Sequence, residues 1–181
     1  MRRRLARRCS GRLGRSAVLS IALLLLAGCS SSHNHAATAS TPPTDVTSVK
    51  AAYMAQVHAT VLVTNAGYAL YLFLPDRQKA VNCGQLCLKS WPLVYEPSHG
   101  QVQAGPGVQA NLLASVAGPT GKPVVTYNRW PLYTYTDDDQ PGFATGQGVD
   151  LDGGYWYLVQ PDGSPLVPSG LPSSASSAPS S

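Results

Sequence analysis

The segment Tyr71-Leu-Phe73-Leu-Pro-Asp76 contains a motif, Tyr-x-aromatic-x-x-Asp, whose spacing recurs later in the chain as Tyr133-Thr-Tyr135-Thr-Asp-Asp138. A tryptophan follows each copy, Trp91 after the first and Trp156 after the second. The period of two along a strand places Tyr71 and Phe73 on one face and the leucines on the other. Proline and aspartate then end the strand, because proline cannot donate to a ladder and aspartate closes turns. The sequence therefore predicts a β-module that is used twice.

Short runs of β-branched and aromatic residues surround both copies. The runs that predict strands are residues 61–64, 69–73, 91–95, 111–116, 124–127 and 131–135. Asn, Gly and Pro separate these runs, which favours a hairpin in the first copy and a three-stranded meander in the second. The predicted fold is mostly β and antiparallel, with two related modules, residues 57–95 and 111–160. We expect the modules to pack as one small domain and to cover each other's sheet edges.

The N-terminus has the order of an export signal. An arginine-rich start precedes an apolar run at residues 17–27, which is far shorter than the ~20 residues that a membrane-spanning helix needs. Leu26-Ala-Gly-Cys29 resembles a bacterial lipobox, in which the cysteine becomes the acylated first residue of the mature protein. We therefore expect a signal peptide at residues 1–28 and a lipid anchor at Cys29. This anchor would place the protein on the extracytoplasmic face of the bacterial cell membrane.

Composition divides the remaining chain into a domain and two flanking segments. Residues 29–49 are small and polar, without apolar periodicity, and predict a flexible tether behind the lipidated cysteine. Residues 168–181 are rich in Ser, Pro and Ala and predict a disordered tail. All fourteen aromatic residues lie between these segments. The predicted β-rich domain is therefore residues 50–167.

Net charge argues against one class of partner. The chain has a formal charge of +4, but seven of its thirteen lysine and arginine residues lie within the first fifteen positions. The mature chain keeps six basic residues against nine acidic ones, so it is acidic. Nucleic-acid affinity depends on lysine and arginine at phosphates, and we therefore expect no nucleic-acid partner.

Cys83 and Cys87 are the sharpest chemical feature of the predicted domain. Positions i and i+4 of a helical turn lie about 6 Å apart, within the range of disulfide-bonded Cα atoms. An extracytoplasmic setting favours oxidation, so we expect a disulfide on a short helical turn. Two other interpretations stay open. The pair could cycle between dithiol and disulfide, or its thiolates could bind copper or zinc together with His99, His58 or Met54.

Signatures of catalysis are missing from the sequence. It has no Gly-x-Ser-x-Gly, His-Glu-x-x-His or Gly-Lys-Ser/Thr segment. The glycine-rich residues 142–148 lack the lysine of a phosphate-binding loop. The aspartates at positions 137–139, 150 and 152 lack the pattern of a twelve-residue calcium loop. We therefore expect a non-enzymatic protein without a cofactor, with copper or zinc at the cysteines as the alternative.

Several motifs in the same order resemble those of a known family. They are the two Tyr-x-aromatic-x-x-Asp elements, the Cys-x3-Cys before Trp91-Pro92, and Thr126-Tyr-Asn128 before Pro131-Leu-Tyr133. The chain resembles predicted bacterial lipoproteins described as the secreted repeat of unknown function over most of residues 57–160. It departs from their pattern at Asn128-Arg129, where Asn-Gly is expected, and in having one proline after Trp91. The resemblance implies a location and a repeated fold, and it implies no particular reaction.

These observations predict a membrane-anchored extracytoplasmic lipoprotein that binds an envelope polymer or protein, or supports envelope structure, without catalysing a reaction. The alternative is redox or metal handling through Cys83 and Cys87, which have no counterpart in the second copy. The family-motif residues are Tyr71, Phe73, Asp76, Trp91, Pro92, Tyr133, Tyr135, Asp138 and Trp156. Because both copies contain the tyrosine, second aromatic and aspartate, we expect these side chains to serve packing and strand termination.

Overall fold

The computed structural model describes residues 46–76 and 80–174, and it contains the predicted meander. The predicted hairpin is present where residues 62–64 pair with residues 68–70. The strands are β1 (Ser48–Met54), β2 (Ala59–Thr64), β3 (Tyr71–Phe73), β4 (Gln103–Ala104), β5 (Leu113–Ala117), β6 (Pro123–Tyr127), β7 (Trp130–Pro131), β8 (Asp150–Leu151) and β9 (Gly154–Leu158). The helical elements are α1 (Cys87–Ser90) and a 3-10 helix (Ala110–Leu112). Three three-stranded sheets have the orders β2-β1-β4, β3-β9-β8 and β5-β6-β7. The mostly antiparallel β fold is confirmed, and the pairing of β4 with β1 is parallel.

Repeat one, residues 46–95, begins with the antiparallel hairpin of β1 and β2, whose register pairs Val49 with Thr64. The sequence predicts a domain start at residue 50, whereas β1 starts at Ser48 and Val46 is already fully buried. The sequence pattern does not predict β1, because Ser, Lys and two alanines within it weaken the alternation of apolar and polar side chains. The repeat therefore includes a strand before the predicted module start at residue 57.

Repeat two, residues 113–159, begins with β5, β6 and β7, which form the predicted meander. A two-residue turn joins β6 to β7, and its central residues, Asn128 and Arg129, have φ values of 46° and 72°. Positive φ at both positions is the mark of a type I′ turn, which matches the twist of a hairpin. The departure from Asn-Gly therefore leaves the turn type unchanged and places an arginine where glycine is preferred.

Repeat one ends in a short segment, residues 91–95, that forms single β-bridges to repeat two and is called its last strand below. Residues 91–95 run beside β6, where the Val125 N–H donates to the Val94 carbonyl at 2.9 Å. On its other side, the Val94 N–H donates to the Leu132 carbonyl, also at 2.9 Å. The end of repeat one thus completes the sheet of repeat two.

The exchange is reciprocal. Residues 156–159 of repeat two run beside β2 of repeat one, where the Leu62 N–H donates to the Val159 carbonyl at 2.8 Å. The Val159 N–H donates in turn to the Leu70 carbonyl at 3.1 Å. Neither repeat has a complete set of strands without the other, which is a closer association than two modules that only cover each other's edges.

Two buried clusters lie on opposite faces of the shared strands. The first contains aromatic side chains of both motifs, and the second contains mainly leucines and valines. Tyr71 and Phe73 belong to the first cluster, whereas Leu70 and Leu72 belong to the second. The predicted division of this strand into two faces is therefore confirmed, and both faces are buried.

The structure continues past the predicted domain end at residue 167. The Tyr157 hydroxyl donates to the Pro172 carbonyl at 2.9 Å, and Leu171 packs partly buried against the aliphatic cluster. Because these contacts use one carbonyl and one leucine in a stretch of Ser, Pro and Gly, composition alone gave no sign of them. Residues 175–181 of the predicted tail lie outside the described part of the chain.

Candidate functional site

The tyrosines of the two motifs meet at the centre of the molecule. Tyr71 opens β3, and Tyr133 lies two residues beyond β7. Their backbones form an antiparallel bridge, in which the Tyr71 N–H donates to the Tyr133 carbonyl at 2.9 Å and the reverse bond measures 3.0 Å. This reciprocal pair relates the two repeats by an approximate twofold axis.

Each tyrosine hydroxyl donates to the aspartate of the other repeat. The Tyr71 hydroxyl donates to Oδ2 of Asp138 at 2.7 Å, and the Tyr133 hydroxyl donates to Oδ2 of Asp76. Asp76 is fully buried and Asp138 is 1% exposed. The motif therefore has a function beyond packing and strand termination, since its first and last residues join the two copies.

The second carboxylate oxygens are bound within their own repeats. Oδ1 of Asp76 accepts from the Asn82 N–H at 2.6 Å. Oδ1 of Asp138 accepts from both the N–H and the hydroxyl of Thr145, each at 2.7 Å. Each aspartate thus holds the loop that follows its own motif as well as the tyrosine of the other copy.

Burial dominates the electrostatics of these pairs. It raises the pKa of Asp76 from 3.8 to about 6, although hydrogen bonds from Tyr133 and Asn82 act to lower it. Burial also raises the pKa of Asp138. The pKa values of Tyr71 and Tyr133 are raised first by burial and then by the adjacent carboxylates. The tyrosines are therefore donors at neutral pH, and the buried groups are arranged as a structural clamp.

A stack of four aromatic rings crosses the same axis. Trp91 and Trp156 lie parallel with their centroids 3.9 Å apart. Phe73 stacks on the outer side of Trp156 at 4.3 Å, and Tyr135 on the outer side of Trp91 at 4.0 Å. The tryptophan and the second aromatic of each motif thus occupy matching places, and Tyr135 is the partly exposed end of the stack.

The loop after the second motif packs tightly against this stack. A Cβ at Gly146 would lie 2.5 Å from Cη2 of Trp91, closer than side chains approach one another. The Gly146 N–H also lies 3.3 Å from the Tyr71 hydroxyl, which accepts from it. Glycine is therefore required at position 146, because a larger residue would clash with the Trp91 ring.

Cys83 and Cys87 form a disulfide with a Cα–Cα distance of 5.4 Å. The two residues are 4% and 5% exposed and belong to the aromatic cluster. The predicted disulfide beside a short helical turn is confirmed. Pro92, which follows Trp91, contributes its carbonyl to the Thr134 N–H at 3.0 Å, so it also joins the two repeats.

The other predicted metal ligands are not gathered at the cysteines. His58 and His99 are exposed, whereas Met54 is buried in the aromatic cluster. Within residues 46–76 and 80–174, no three His, Cys, Asp or Glu side chains are grouped as a metal site would need. This includes the aspartates considered for calcium. The lipidation candidate, Cys29, lies outside the described residues.

One accessible feature was missed by the sequence analysis: a groove beside the connector between the repeats. Tyr95, Glu96 and Lys122 contribute to its largest part, with a cavity volume of about 470 Å³. The Lys122 Nζ lies 5.9 Å from the centroid of the Tyr95 ring. The only sequence signal was the position of Tyr95 in a loop-flanking strand, because Lys122 belongs to a turn that is distant in the chain.

Comparison with known proteins identifies the repeat. Residues 114–160 match the family described as "Secreted repeat of unknown function". Neither the curated proteins nor the solved structures give a significant match. The family description indicates an extracellular location. Separately, no helix among the described residues is long and apolar enough to cross a membrane. The family resemblance predicted from the motifs is therefore confirmed over residues 114–160, which is most of repeat two.

Proposed function

We propose that the protein is a lipid-anchored lipoprotein on the extracytoplasmic face of the bacterial cell membrane, where its β-domain is a non-enzymatic binding or structural module. Support for the anchor comes from the lipobox-like sequence that ends at Cys29 and from the secreted character of the matching family. Two acyl signals suffice for stable anchoring, and lipoprotein acylation supplies more than one chain. The anchor holds the domain at the membrane surface.

The observation that carries the non-enzymatic function is the state of the motif residues. Asp76 and Asp138 are carboxyl groups whose pKa values are raised by burial, as those of catalytic acids often are, and Tyr71 and Tyr133 are their hydroxyl donors. All four are buried and bound to one another across the repeats. A substrate cannot reach them without separating the repeats, so their chemistry serves the fold.

Redox or metal handling at Cys83 and Cys87 has less support. A soft metal needs thiolates, and the disulfide withdraws both of them. Exchange with a partner thiol needs an accessible sulfur, whereas both cysteines are almost fully buried. Binding through the surface is therefore the better supported activity.

The anchor is tested by replacing Cys29 in the full chain. In a bacterial host fed an alkyne-tagged fatty acid, we expect the wild-type protein to take up the tag and to remain in the membrane fraction. Cys29→Ser should lose both properties. Cys9→Ser, which changes the other cysteine of the signal region, is the matched control and should behave as wild type. Tagging of Cys29→Ser, or release of the wild-type protein without detergent, would refute the anchor.

The redox alternative has its own test. We expect the native protein to resist alkylation of Cys83 and Cys87 when it is treated with mild reductant and iodoacetamide, and to react once it is unfolded in urea. Intact mass distinguishes the two states. Rapid alkylation of the folded protein would instead favour the redox function over the structural one.

A further inference from the structure

The outer edges of β1 and β5 occupy equivalent places in the two repeats but differ in what covers them. β1 pairs with β2 as β5 pairs with β6, and the registers place Ala51 opposite Leu62 and Ser115 opposite Val125. On its other side, β1 pairs with β4, from the connector between the repeats. β5 is the edge strand of its sheet.

The bonds between β1 and the connector show what such an edge accepts. The Val49 carbonyl accepts from the Gly105 N–H at 2.7 Å, and the Ala51 N–H donates to the Pro106 carbonyl at 2.9 Å. A Cβ at Gly105 would lie 2.9 Å from the Val49 carbonyl oxygen, so the chain that lies here must be small at that position. The part of the connector that lies here, residues 103–106, is thus an uncharged segment that runs parallel to the edge.

β5 also has one backbone carbonyl and one backbone N–H directed away from its sheet. The Asn128 N–H donates to the Leu112 carbonyl at one end of the β5–β6 ladder, and the Gly118 N–H donates to the Lys122 carbonyl at the other. Alternation in an antiparallel ladder therefore directs the Leu113 carbonyl and the Ser115 N–H outward. These two groups correspond to the Val49 carbonyl and the Ala51 N–H of repeat one. Neither has a hydrogen-bond partner within the described ranges 46–76 and 80–174.

A groove runs along this edge. Residues of β4 and β5 contribute to a cavity of about 260 Å³, whose lining includes Gln103, Ala104, Leu113 and Ser115. Ser115 also lines the larger cavity that contains Tyr95 and Lys122, so the two cavities are neighbours. A chain that follows β5 past Ser115 would reach that larger cavity.

We propose that the β5 edge binds an extended peptide of a partner protein by strand addition, with the peptide parallel to β5 and bonded to the Leu113 carbonyl and the Ser115 N–H. The peptide is uncharged and small where it crosses β5, as the connector is on β1. β5 itself has no charged residue and no proline, the usual means of blocking an edge. This inference rests on the proposed function, because it names the partner class of the binding module.

The proposal is tested with the connector sequence itself as the probe. A fluorescein-labelled, amidated peptide of residues 101–108, Gln-Val-Gln-Ala-Gly-Pro-Gly-Val, is titrated into the full chain purified in detergent. We expect a saturable rise in fluorescence polarisation. Deuterium uptake by the peptic fragment that contains β5 should slow when the peptide is bound.

Two variants of the same residue separate backbone recognition from other binding. Ser115→Pro removes the outward N–H without removing a β5–β6 hydrogen bond, and it should weaken peptide binding about tenfold. Ser115→Ala keeps the N–H and should bind as wild type. Circular dichroism and urea unfolding establish that both variants are folded.

Four outcomes would overturn the proposal. These are no binding of the peptide, equal binding by Ser115→Pro, protection of β1 instead of β5, and protection of β5 that grows with protein concentration in the absence of peptide. The last result would assign the edge to a second copy of the chain. None of them affects the membrane anchor, whose test uses Cys29 and the fatty-acid tag.

Discussion

Repeat one and repeat two share the side chains that join them but differ in the segments that each inserts before its last strand. Repeat one inserts the disulfide and α1, whereas repeat two inserts the glycine-rich loop and β8. Both insertions supply a donor to the aspartate of the preceding motif, Asn82 in one and Thr145 in the other. Both repeats therefore have a backbone N–H that donates to the motif aspartate, although the inserted segments that supply it have different structures.

The repeats also differ at their outer edges, since β4 covers β1 and β5 remains an edge strand. The tyrosine–aspartate clamps and the ring stack, which both repeats share, are mostly buried, whereas β5, whose outer edge lacks the cover that β4 gives β1, is largely exposed. The comparison teaches where function is to be sought: in the features that break the twofold relation.

The largest expected effect comes from removing a ring of the central stack. Trp156→Ala and Trp91→Ala should each lower the free energy of unfolding by about 3–5 kcal/mol, because each empties a fully buried site. Trp156→Ala should cost about 1 kcal/mol more, because Nε1 of Trp156 donates to the Leu151 carbonyl at 3.2 Å, whereas Nε1 of Trp91 has no partner among the described residues. Urea unfolding followed by circular dichroism measures both.

Trp130→Ala is the control for these substitutions, because Trp130 is only partly buried and lies outside the stack. It should cost clearly less than either central tryptophan. If Trp130→Ala lowered the free energy of unfolding as much as Trp156→Ala does, the stack would contribute no more to stability than a partly buried tryptophan outside it.

The next effect is a pH dependence centred on Asp76. Its folded pKa of about 6 lies above the ordinary 3.8, so folding favours the protonated carboxyl. The resulting stability is fully present below about pH 3.8 and is lost as the pH rises through about 6. The change is on the order of 3 kcal/mol, which corresponds to a pKa shift of this size. Urea unfolding between pH 4 and 8 measures it.

Asp76→Asn separates this group from the other carboxyls. The variant keeps a neutral side chain of the same shape, and its stability should fall less than that of wild type over the same pH range. Asp138, whose pKa burial also raises, remains in the variant and accounts for a residual slope. Identical slopes in the two proteins would contradict the assignment to Asp76.

Removal of one hydroxyl from either clamp tests the reciprocity of the repeats. Tyr71→Phe and Tyr133→Phe should each cost about 1–3 kcal/mol, because each leaves a buried carboxylate oxygen without its donor. Tyr71→Phe should be the more costly, because the Tyr71 hydroxyl also accepts from Gly146. Thermal and urea unfolding at pH 7 give both values.

Tyr135→Phe provides the matched control for the clamp. Its hydroxyl donates to the exposed Asp137 at 3.0 Å, a bond that water replaces, so its loss should change stability little. An effect equal to that of Tyr133→Phe would mean that burial of the Tyr–Asp pairs does not set their importance.

The smallest expected effect concerns the hairpin turns. Arg129 has a φ of 72°, which is costly for a residue with a side chain, whereas the turn of repeat one has Gly67 at its positive φ of 92°. Arg129→Gly should therefore raise the free energy of unfolding by about 0.5–1 kcal/mol. Asn128→Gly is the comparison, since asparagine tolerates positive φ and should gain less. A destabilised Arg129→Gly would contradict this account.

The hairpin, the meander and the two faces of β3 could be predicted because strand alternation and turn residues are local in sequence. The clamp could not, because the Tyr71–Asp138 and Tyr133–Asp76 pairs span 67 and 57 residues. Spacing within one motif does not reveal that the partner lies in the other. The same limit hid the exchange of last strands, which depends on how two copies dock.

Local signals were also weak where packing determines the structure. The composition of β1, which begins at Ser48, does not predict a strand. β1 forms because β2 pairs with it on one side and the connector strand β4 on the other. The unpaired outer edge of β5 could not be predicted, because it is recognised only by comparing the register of β5 with that of β1. The location of Cys29 and its acylation stay predictions of the sequence.

The strand exchange also governs the order in which the polypeptide can reach its native state. The hydrogen bond from the Leu62 N–H to the Val159 carbonyl cannot form until Val159 has been synthesised, almost one hundred residues later. Repeat one therefore emerges from the ribosome without its closing strand, and contacts this distant in sequence slow folding. Such a chain suits export in an unfolded form. A polypeptide with only one repeat would have to borrow its last strand from a second molecule, which would turn the approximate internal axis into the true axis of a dimer.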